Sequence, residues 1–151
     1  MNSDLIWMDG ELVPFDQATV HFITPTLHYG VGVFEGIRCY RTPRGAAIFR
    51  LKEHLQRFIE SIHILGIQNF PYNLSELRQA VHQTIQANHF TECYIRPLMY
   101  LDGPLGLNMD LAKPRVGIAA WEWGPYLGEE SKQTGIHHFY QKRTRSIFRI
   151  A

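Results

Sequence analysis

Residues 29–40 of the chain read Tyr29-Gly30-Val31-Gly32-Val33-Phe34-Glu35-Gly36-Ile37-Arg38-Cys39-Tyr40, with three glycines and three aromatic residues in twelve positions. Glycine inside a strand weakens it and usually marks a bulge or a close approach of the backbone to another group. The density of glycine therefore predicts a backbone that passes close to a ligand. Tyr29, Phe34 and Tyr40 would supply the walls of the pocket around that ligand.

The composition is that of one globular domain. The chain has 151 residues, of which 45% are hydrophobic and 19% charged, and its formal net charge is +1. A chain of this length can bury a core, and this composition is unlike that of disordered segments. A charge so close to neutral gives no support for a nucleic-acid partner or for an acidic lipid surface.

The N-terminus and the cysteines indicate a cytoplasmic protein. Met1-Asn2-Ser3-Asp4 has neither the basic region nor the apolar run that open a signal peptide. No apolar run approaches the roughly 20 residues that span a bilayer. Cys39 and Cys93 lack the spacing of a metal site, and two free thiols are typical of a reducing compartment. We therefore expect no membrane segment and no bound metal.

Turn signals divide the apolar segments into short strands. Asp9-Gly10 between two apolar runs is typical of a β-hairpin, and Thr42-Pro43-Arg44-Gly45 is a second turn signal. The segment 15–28 has no clear period and contains Pro25, so we expect a loop there. The predicted strands are Leu5–Met8, Glu11–Pro14, Val33–Tyr40, Ala46–Arg50, Cys93–Tyr100 and Val116–Trp121, with a loop over 102–114.

Two helices are predicted from apolar residues at helical spacing. The first covers Leu51–Leu65 and is followed by Gly66 as a stop signal. The second covers Leu74–Asn88, and Asn73 followed by Glu76 matches a capping box. Strands and helices are grouped along the chain, which predicts an α+β fold with a largely antiparallel sheet and two helices on one face.

Two arginines are candidate anion ligands. Arg57 lies near the edge of the apolar stripe of the first helix, where it is either a solvated surface residue or a phosphate ligand. Arg96 lies inside the predicted strand Cys93–Tyr100, where a charge must be exposed, paired or bound to an anion. An ion pair at a strand edge and a clamp for a ligand carboxylate both satisfy that requirement.

Other polar and aromatic residues leave further alternatives. Glu35 and Arg38 could pair with each other, which would be purely structural. His28 and His54 have no acidic or cysteine partner at ligand spacing, which argues against a metal site. Trp121 suits the core, whereas the segment 123–126 resembles a loop whose aromatic side chains line a site. The residues alone therefore predict a pocket for a small anionic molecule.

Five segments of the chain together resemble the branched-chain amino-acid aminotransferases, which are fold-type IV pyridoxal-phosphate enzymes. The resemblance extends over about residues 5–135. The Phe-Glu-Gly-Ile-Arg block favours these enzymes over D-amino-acid aminotransferases and aminodeoxychorismate lyases. In chain order the segments are Leu27-His28-Tyr29-Gly30, Val33-Phe34-Glu35-Gly36-Ile37-Arg38-Cys39-Tyr40, Glu53-His54-Leu55-Gln56-Arg57, Tyr94-Ile95-Arg96-Pro97 and Trp123-Gly124-Pro125-Tyr126-Leu127-Gly128.

The resemblance implies roles for individual positions. Arg57 matches the arginine that holds the phosphate of the cofactor, pyridoxal 5′-phosphate, and Arg96 suits the second carboxylate of glutamate. The implied reaction is amino transfer from leucine, isoleucine or valine to 2-oxoglutarate, in a homodimer or a larger assembly of dimers. The implied substrate-binding residues are Phe34, Gly36, Tyr94, Arg96, Trp123 and Tyr126, and those implied to serve a neighbouring subunit's site are Tyr29 and Leu107.

The resemblance is lost after about residue 136. The family's Schiff-base lysine belongs to a motif shortly beyond this point, which the chain does not show, so we assign no catalytic residue. We therefore divide the chain into an N-terminal small domain of a class IV aminotransferase, 1–136, and a divergent tail, 137–151. The lysines that stand in other contexts are Lys52, Lys113, Lys132 and Lys142.

The hypothesis from the sequence is a truncated, frameshifted or fragmentary branched-chain aminotransferase that lacks the second domain and is inactive alone. One alternative is a non-catalytic small-domain protein that binds an anion or pairs with another subunit. Another is a remnant without a stable role. A lysine-linked absorbance band formed with pyridoxal phosphate and bleached by borohydride would contradict the expected inactivity.

Overall fold

The structure is a computed structural model that describes residues 3–106 and 111–123. Strands and helices are grouped along the chain, which confirms the predicted α+β class. The helices are α1 (Pro25–Tyr29), α2 (Leu51–Ile64) and α3 (Leu74–Ala87), and a 3₁₀ turn covers Phe15–Gln17. The strands are β1 (Leu5–Met8), β2 (Glu11–Pro14), β3 (Gly32–Phe34), β4 (Ile37–Thr42), β5 (Gly45–Ile48), β6 (Cys93–Asp102) and β7 (Lys113–Trp121).

These strands form one seven-stranded sheet in which every described pair is antiparallel. The order across the sheet is β2-β1-β7-β6-β4-β5, and β3 also pairs with β6. At the centre, β6 and β7 pair from Tyr94 opposite Trp121 to Asp102 opposite Lys113. Both strands are longer than predicted, so the loop expected over 102–114 is shorter.

The first hairpin is confirmed with the predicted strand bounds. Leu5 lies opposite Pro14 and Met8 opposite Glu11. The turn between them, residues 9–10, has φ values of 47° and 108°. A two-residue turn with positive φ at both positions matches the right-handed twist of the paired strands, and Asp-Gly tolerates it.

The loop expected over 15–28 is wrong, because the 3₁₀ turn and α1 interrupt it. Pro25 is the first residue of α1. A proline there costs no hydrogen bond, because the first N–H of a helix has no partner within the helix. The helix ends at Gly30, whose φ of 69° is left-handed. Pro25 thus begins a short helix instead of marking irregular structure.

The strand predicted over Val33–Tyr40 is present as two strands, β3 and β4, which pair with β6 in one continuous register. Between them, the Glu35 N–H donates to the Pro97 carbonyl at 3.1 Å. Proline has no N–H with which to return the second hydrogen bond of this pair. The ladder is therefore interrupted at Glu35 and Gly36, although the chain keeps its direction.

Both long helices are confirmed to within one residue at each end. α3 begins with the predicted capping box, in which the Asn73 side chain accepts from the Ser75 and Glu76 N–H groups and the Glu76 carboxylate accepts from the Asn73 N–H. α2 has no side-chain cap, and Arg50 before it has a φ of 48°. The strand predicted to reach Arg50 therefore ends at Ile48.

The two faces of the sheet differ, because alternate residues of a strand point to opposite sides. On β6, Cys93, Ile95 and Met99 are at most 2% exposed and belong to the core formed with the apolar stripes of α2 and α3. Tyr94 and Arg96 alternate with them and point to the face opposite the helices. That face carries the candidate site.

Candidate functional site

An arginine and several aromatic rings meet on the open face of the sheet. The Tyr94 ring of β6 lies 5.0 Å from the Trp121 ring and 4.5 Å from the Trp123 ring, centroid to centroid. Beside them is a cavity of about 430 Å³ lined by Arg38, Tyr94, Arg96 and Trp123, which we call the aromatic cavity. The structure thus brings together residues that the sequence implied for substrate binding.

Arg96 is held by aromatic groups. Its guanidinium lies 4.4 Å from the Phe34 ring centroid, and its Nη2 donates to the Tyr94 hydroxyl at 2.7 Å. Its Nε is buried and has no hydrogen-bond partner within the described residues. Arg96 also has no ion pair with a described acidic residue. These contacts favour an anion site over the alternative of a strand-edge ion pair, because a buried N–H without a partner is costly unless a ligand accepts from it.

Gly36 is required by close packing. A Cβ atom at this position would overlap the Tyr94 hydroxyl, the group that accepts from Arg96. The glycine therefore allows Tyr94 to reach across the strand and fix the guanidinium. The close approach predicted from the glycine-rich stretch is made, in this structure, by a side chain of the site.

Glu35 points to the helix side and forms an ion pair with Arg57 of α2. Arg57 donates from Nε at 2.6 Å and from Nη2 at 2.7 Å, so the pair is bidentate. The Glu35 side chain is only 7% exposed, and His54 Nδ1 lies 2.9 Å from its Oε2. Burial raises the pKa of Glu35, but the hydrogen bonds and charges of Arg57 and His54 outweigh it and hold this pKa below the ordinary value.

The alternative pairing of Glu35 with Arg38 is not present. Side chains along a strand alternate between its two faces, so Glu35 and Arg38, three positions apart, point to opposite faces. Arg38 points to the open face. There its Nη1 donates to the Trp123 carbonyl at 3.2 Å and its guanidinium lies 5.8 Å from the Tyr40 ring centroid. Sequence reasoning left the roles of Arg38 and His54 open, although the spacing of His54 and Arg57 on one helix face was a signal for a shared partner.

The outer edge of the Arg57 guanidinium is free of described acceptors and can donate to a further one. Its side chain is 64% exposed, and no described residue accepts from its Nη1. Glu35 raises the pKa of this guanidinium, which keeps it charged. A guanidinium oriented by one carboxylate and open on its outer edge can donate to a phosphate.

The structure does not bring the other three implied site residues, Tyr29, Tyr126 and Leu107, into the aromatic cavity as it describes it. Tyr29 lies at the end of α1, with 47% of its surface exposed and no position in the aromatic cavity. Tyr126 and Leu107 lie outside the described residues. Their implied roles stay predictions.

The two lysines within the described ranges lie away from the aromatic cavity. Lys52 is on α2 and lines a different cavity on the helix side of the sheet. Lys113 begins β7 opposite Asp102. Within the same ranges no three His, Cys, Asp or Glu side chains are grouped to hold a metal ion. None of the described helices combines the length and the apolar character that crossing a membrane requires.

A family model described as "Amino-transferase class IV" matches residues 32–146. This range is most of the chain, so the chain belongs to the class IV aminotransferase family. The matched range continues past residue 136, and the division proposed at that residue stays a prediction.

Similar proteins narrow the resemblance to one branch of this family. The branched-chain-amino-acid aminotransferase of Pseudomonas aeruginosa is 47% identical over 133 residues, which cover 87% of this chain and 43% of the relative. The chain thus spans about two fifths of the length of this relative. The resemblance to branched-chain aminotransferases stated from the sequence motifs is confirmed.

Solved structures of branched-chain amino acid aminotransferases share the fold of this chain over most of its length. A T.th. branched-chain amino acid aminotransferase with pyridoxamine 5′-phosphate has a TM-score of 0.78 and 45% identity, over 85% of this chain and 42% of that one. The T.th. enzyme complexed with N-(5′-phosphopyridoxyl)-L-glutamate has a TM-score of 0.76 and 43% identity, over 80% of this chain and 41% of that one. The predicted fold is thereby confirmed.

Proposed function

We propose that this chain forms the substrate-binding wall and supplies the phosphate-binding arginine of a pyridoxal-phosphate-dependent branched-chain aminotransferase. The observation that carries the proposal is Arg96, which is stacked on Phe34, fixed by Tyr94 and left with a buried Nε without a described partner. The amino group would pass from leucine, isoleucine or valine to 2-oxoglutarate. The related enzyme solved with a phosphopyridoxyl-glutamate supports a glutamate-type substrate.

The residues present fit the cofactor. Arg57 would hold the phosphate with its exposed edge, while Glu35 fixes the plane of the guanidinium from the other side. When bound, pyridoxal phosphate supplies an electron sink for breaking bonds at the amino-acid α-carbon. The contribution of this chain is orientation, because the carboxylate of Glu35 stays ionised and pins Arg57 in one position.

The aromatic cavity suits both substrates of such a reaction. Tyr94 and Trp123 offer ring surfaces to a branched apolar side chain, and Phe34 stacks behind the guanidinium of Arg96. When glutamate or 2-oxoglutarate enters, its second carboxylate would accept from Arg96, as the resemblance implies. One cavity can thus take an apolar group or a carboxylate, because the described groups around the arginine are rings and include no acidic side chain.

Three further proposals accompany this assignment and concern the oligomeric state, the cellular location and the lysine that bonds to the cofactor. We infer a homo-oligomer in which Tyr29 serves a neighbouring subunit, supported by the exposure of its ring. A cytoplasmic location is supported by Cys39 and Cys93, which are free and buried. We infer that no lysine of this chain bonds to the cofactor. Lys52 and Lys113 lie away from the aromatic cavity, and Lys132 and Lys142, which are outside the described residues, stand in sequence contexts unlike the family's lysine motif.

Ligand binding by the chain tests the proposal. We expect 2-oxoglutarate to bind the purified chain, and Arg96→Gln to weaken this binding roughly tenfold because a charge-assisted hydrogen bond is lost. Arg57→Gln should weaken binding of pyridoxamine 5′-phosphate and leave 2-oxoglutarate binding unchanged. Arg44→Gln, in the exposed turn between β4 and β5, is the matched control for loss of one positive charge.

Two results would overturn the assignment. If Arg96→Gln and Arg44→Gln have the same effect on 2-oxoglutarate, Arg96 is not a carboxylate ligand. If pyridoxal phosphate forms a lysine-linked absorbance band that borohydride bleaches, the inference that no lysine of this chain bonds to the cofactor is wrong. A folded chain that binds neither ligand would favour the alternative of a non-catalytic small-domain protein that pairs with another subunit.

A further inference from the structure

A larger cavity lies on the helix side of the sheet, between β5, the start of α2 and α3. Its volume is about 720 Å³, which is within the roughly 300–1,000 Å³ of typical small-molecule sites. Cys39 lines this cavity whereas its neighbour Arg38 lines the aromatic cavity. Because adjacent strand residues point to opposite faces, the sheet separates the two cavities. The helix-side cavity is therefore distinct from the candidate active site.

Two cationic side chains, Lys52 and Arg78, lie on the rim of the helix-side cavity. Lys52 comes from α2, and Arg78, His82 and His89 follow one another along one face of α3 and its C-terminal end. The lining contains no acidic residue, and within the described ranges neither Lys52 nor Arg78 has an ion pair.

The floor of the same cavity is apolar and uncharged. Ile48, Ile85 and Phe90 contribute hydrocarbon surface beneath the rim. Burial, and to a smaller extent the charge of Glu92, raises the pKa of the Cys39 thiol above its ordinary value of 9.0, so this thiol is neutral at pH 7. An apolar floor under unpaired cations is complementary to a molecule with a hydrocarbon chain and one anionic end.

We propose that the helix-side cavity binds a medium-chain aliphatic carboxylate. Its alkyl chain lies on Ile48 and Phe90, and its carboxylate accepts hydrogen bonds from Lys52 and Arg78. Both parts of the ligand are needed, because exposed cations alone hold a small anion weakly in water. The proposal does not depend on the aminotransferase assignment, since it uses the opposite face of the sheet.

Calorimetric titration of the full chain with octanoate tests this proposal. We expect Lys52→Gln and Arg78→Gln each to weaken octanoate binding roughly two- to fivefold, as for loss of an exposed ionic contact. Ala46→Trp should abolish binding without changing any charge, because Ala46 is an exposed residue lining the cavity. Arg44→Gln, in the same hairpin but outside the lining, should bind octanoate as the unsubstituted chain does.

Neutral and hydrophilic probes decide whether both parts of the ligand matter. Octan-1-ol and inorganic phosphate should each bind at least roughly tenfold more weakly than octanoate. Equal binding of octan-1-ol would show that the cations take no part, and equal binding of phosphate would show the same for the apolar floor. Either result overturns the proposal, as does a folded chain, verified by its thermal transition, that does not bind octanoate.

Discussion

At the scale of single residues, the position of Arg96 in the site depends on the absence of a side chain at Gly36. The Tyr94 hydroxyl occupies the space that a Cβ at residue 36 would need, and the same hydroxyl accepts from Arg96. The absence of a Cβ at Gly36 therefore leaves room for the Tyr94 hydroxyl, and this hydroxyl orients the Arg96 guanidinium on the open face. Gly36 is not among the glycines with a positive φ, so its close packing against Tyr94, and not its backbone conformation, explains the glycine at this position.

Gly36→Ala should displace the Tyr94 ring and loosen Arg96. We expect a loss of about 1–3 kcal/mol in the free energy of unfolding, as for overpacking of a well-packed contact, together with weaker 2-oxoglutarate binding. Urea denaturation and titration measure the two effects. Gly106→Ala is the control, because no atom of the described residues lies within 4 Å of a Cβ at that position. Equal effects of the two substitutions would contradict the packing argument.

The charged carboxylate of Glu35 joins the strands of the site to α2 through its ion pair with Arg57. Hydrogen bonds from Arg57 and His54 hold the pKa of Glu35 below its ordinary value of 4.5 despite burial, which acts in the other direction. A carboxyl group with a lowered pKa stabilises the folded state above its ordinary pKa. That stabilisation is lost as the pH falls through the pKa of the folded state.

Glu35→Gln should therefore lower the free energy of unfolding at neutral pH, by about 1–3 kcal/mol for a buried partner of a charged group. The difference from the unsubstituted chain should shrink as the pH falls below the ordinary value of 4.5 and through the lower pKa of the folded state. Urea denaturation at several pH values measures this. Glu60→Gln, which removes an exposed carboxylate of α2, is the control. If the difference between Glu35→Gln and the unsubstituted chain is the same at every pH, the result would be evidence against the lowered pKa of Glu35.

At the scale of elements, one side chain joins the end of α3 to the first strand. Asn88 Oδ1 accepts from the N–H groups of Asp4 and Leu5 at 2.8 and 2.9 Å. Its Nδ2 donates to the carbonyls of Leu5 and Thr84, both at 2.8 Å. Both lone pairs and both N–H groups of this amide are therefore used.

Asn88→Ala should cost about 1–3 kcal/mol of unfolding free energy, because it leaves β1 backbone groups without partners. We also expect faster hydrogen exchange at Leu5. Gln83→Ala, an exposed position of α3, should change neither quantity. If exchange at Leu5 is unaffected by Asn88→Ala, the amide does not hold the strand to the helix.

At the scale of the whole molecule, the described surface has apolar side chains in and beside α1. Phe22 is 78% exposed and Leu27 is 59% exposed, and both lie in the segment that contains α1. Phe22 contacts the His28 ring, which is next to Tyr29. Because exposed apolar patches mark interaction surfaces, this segment is a candidate surface for self-association.

The chain alone should therefore self-associate through this segment. Size-exclusion chromatography with light scattering should show a larger species whose fraction grows with concentration. Phe22→Ser combined with Leu27→Ser should shift the chain towards the monomer, whereas Ile64→Ser, at a residue 84% exposed on α2, should not. A chain that is monomeric before any substitution would remove the support for Tyr29 in a neighbouring subunit's site.

Local sequence patterns were sufficient for the first hairpin and the two long helices, although they missed α1. The Asp9-Gly10 turn, the apolar stripes of α2 and α3 and the capping box of Asn73 each depend on residues close together in the chain. The division of Val33–Tyr40 into β3 and β4 was not predictable in the same way. It depends on Pro97, which is distant in sequence and meets Glu35 only across the sheet.

The sequence by itself determined the fold class, the two long helices and the family, because these follow from periodicity, turn residues and motif order. Only the tertiary structure decided that Glu35 pairs with Arg57 rather than with Arg38, and that Arg96 lies among rings without a described acidic partner. The physical reason is the pleat of the sheet. Alternation sends Glu35 to the helices and Arg38 to the open face, and the pairing of strands then selects the partners.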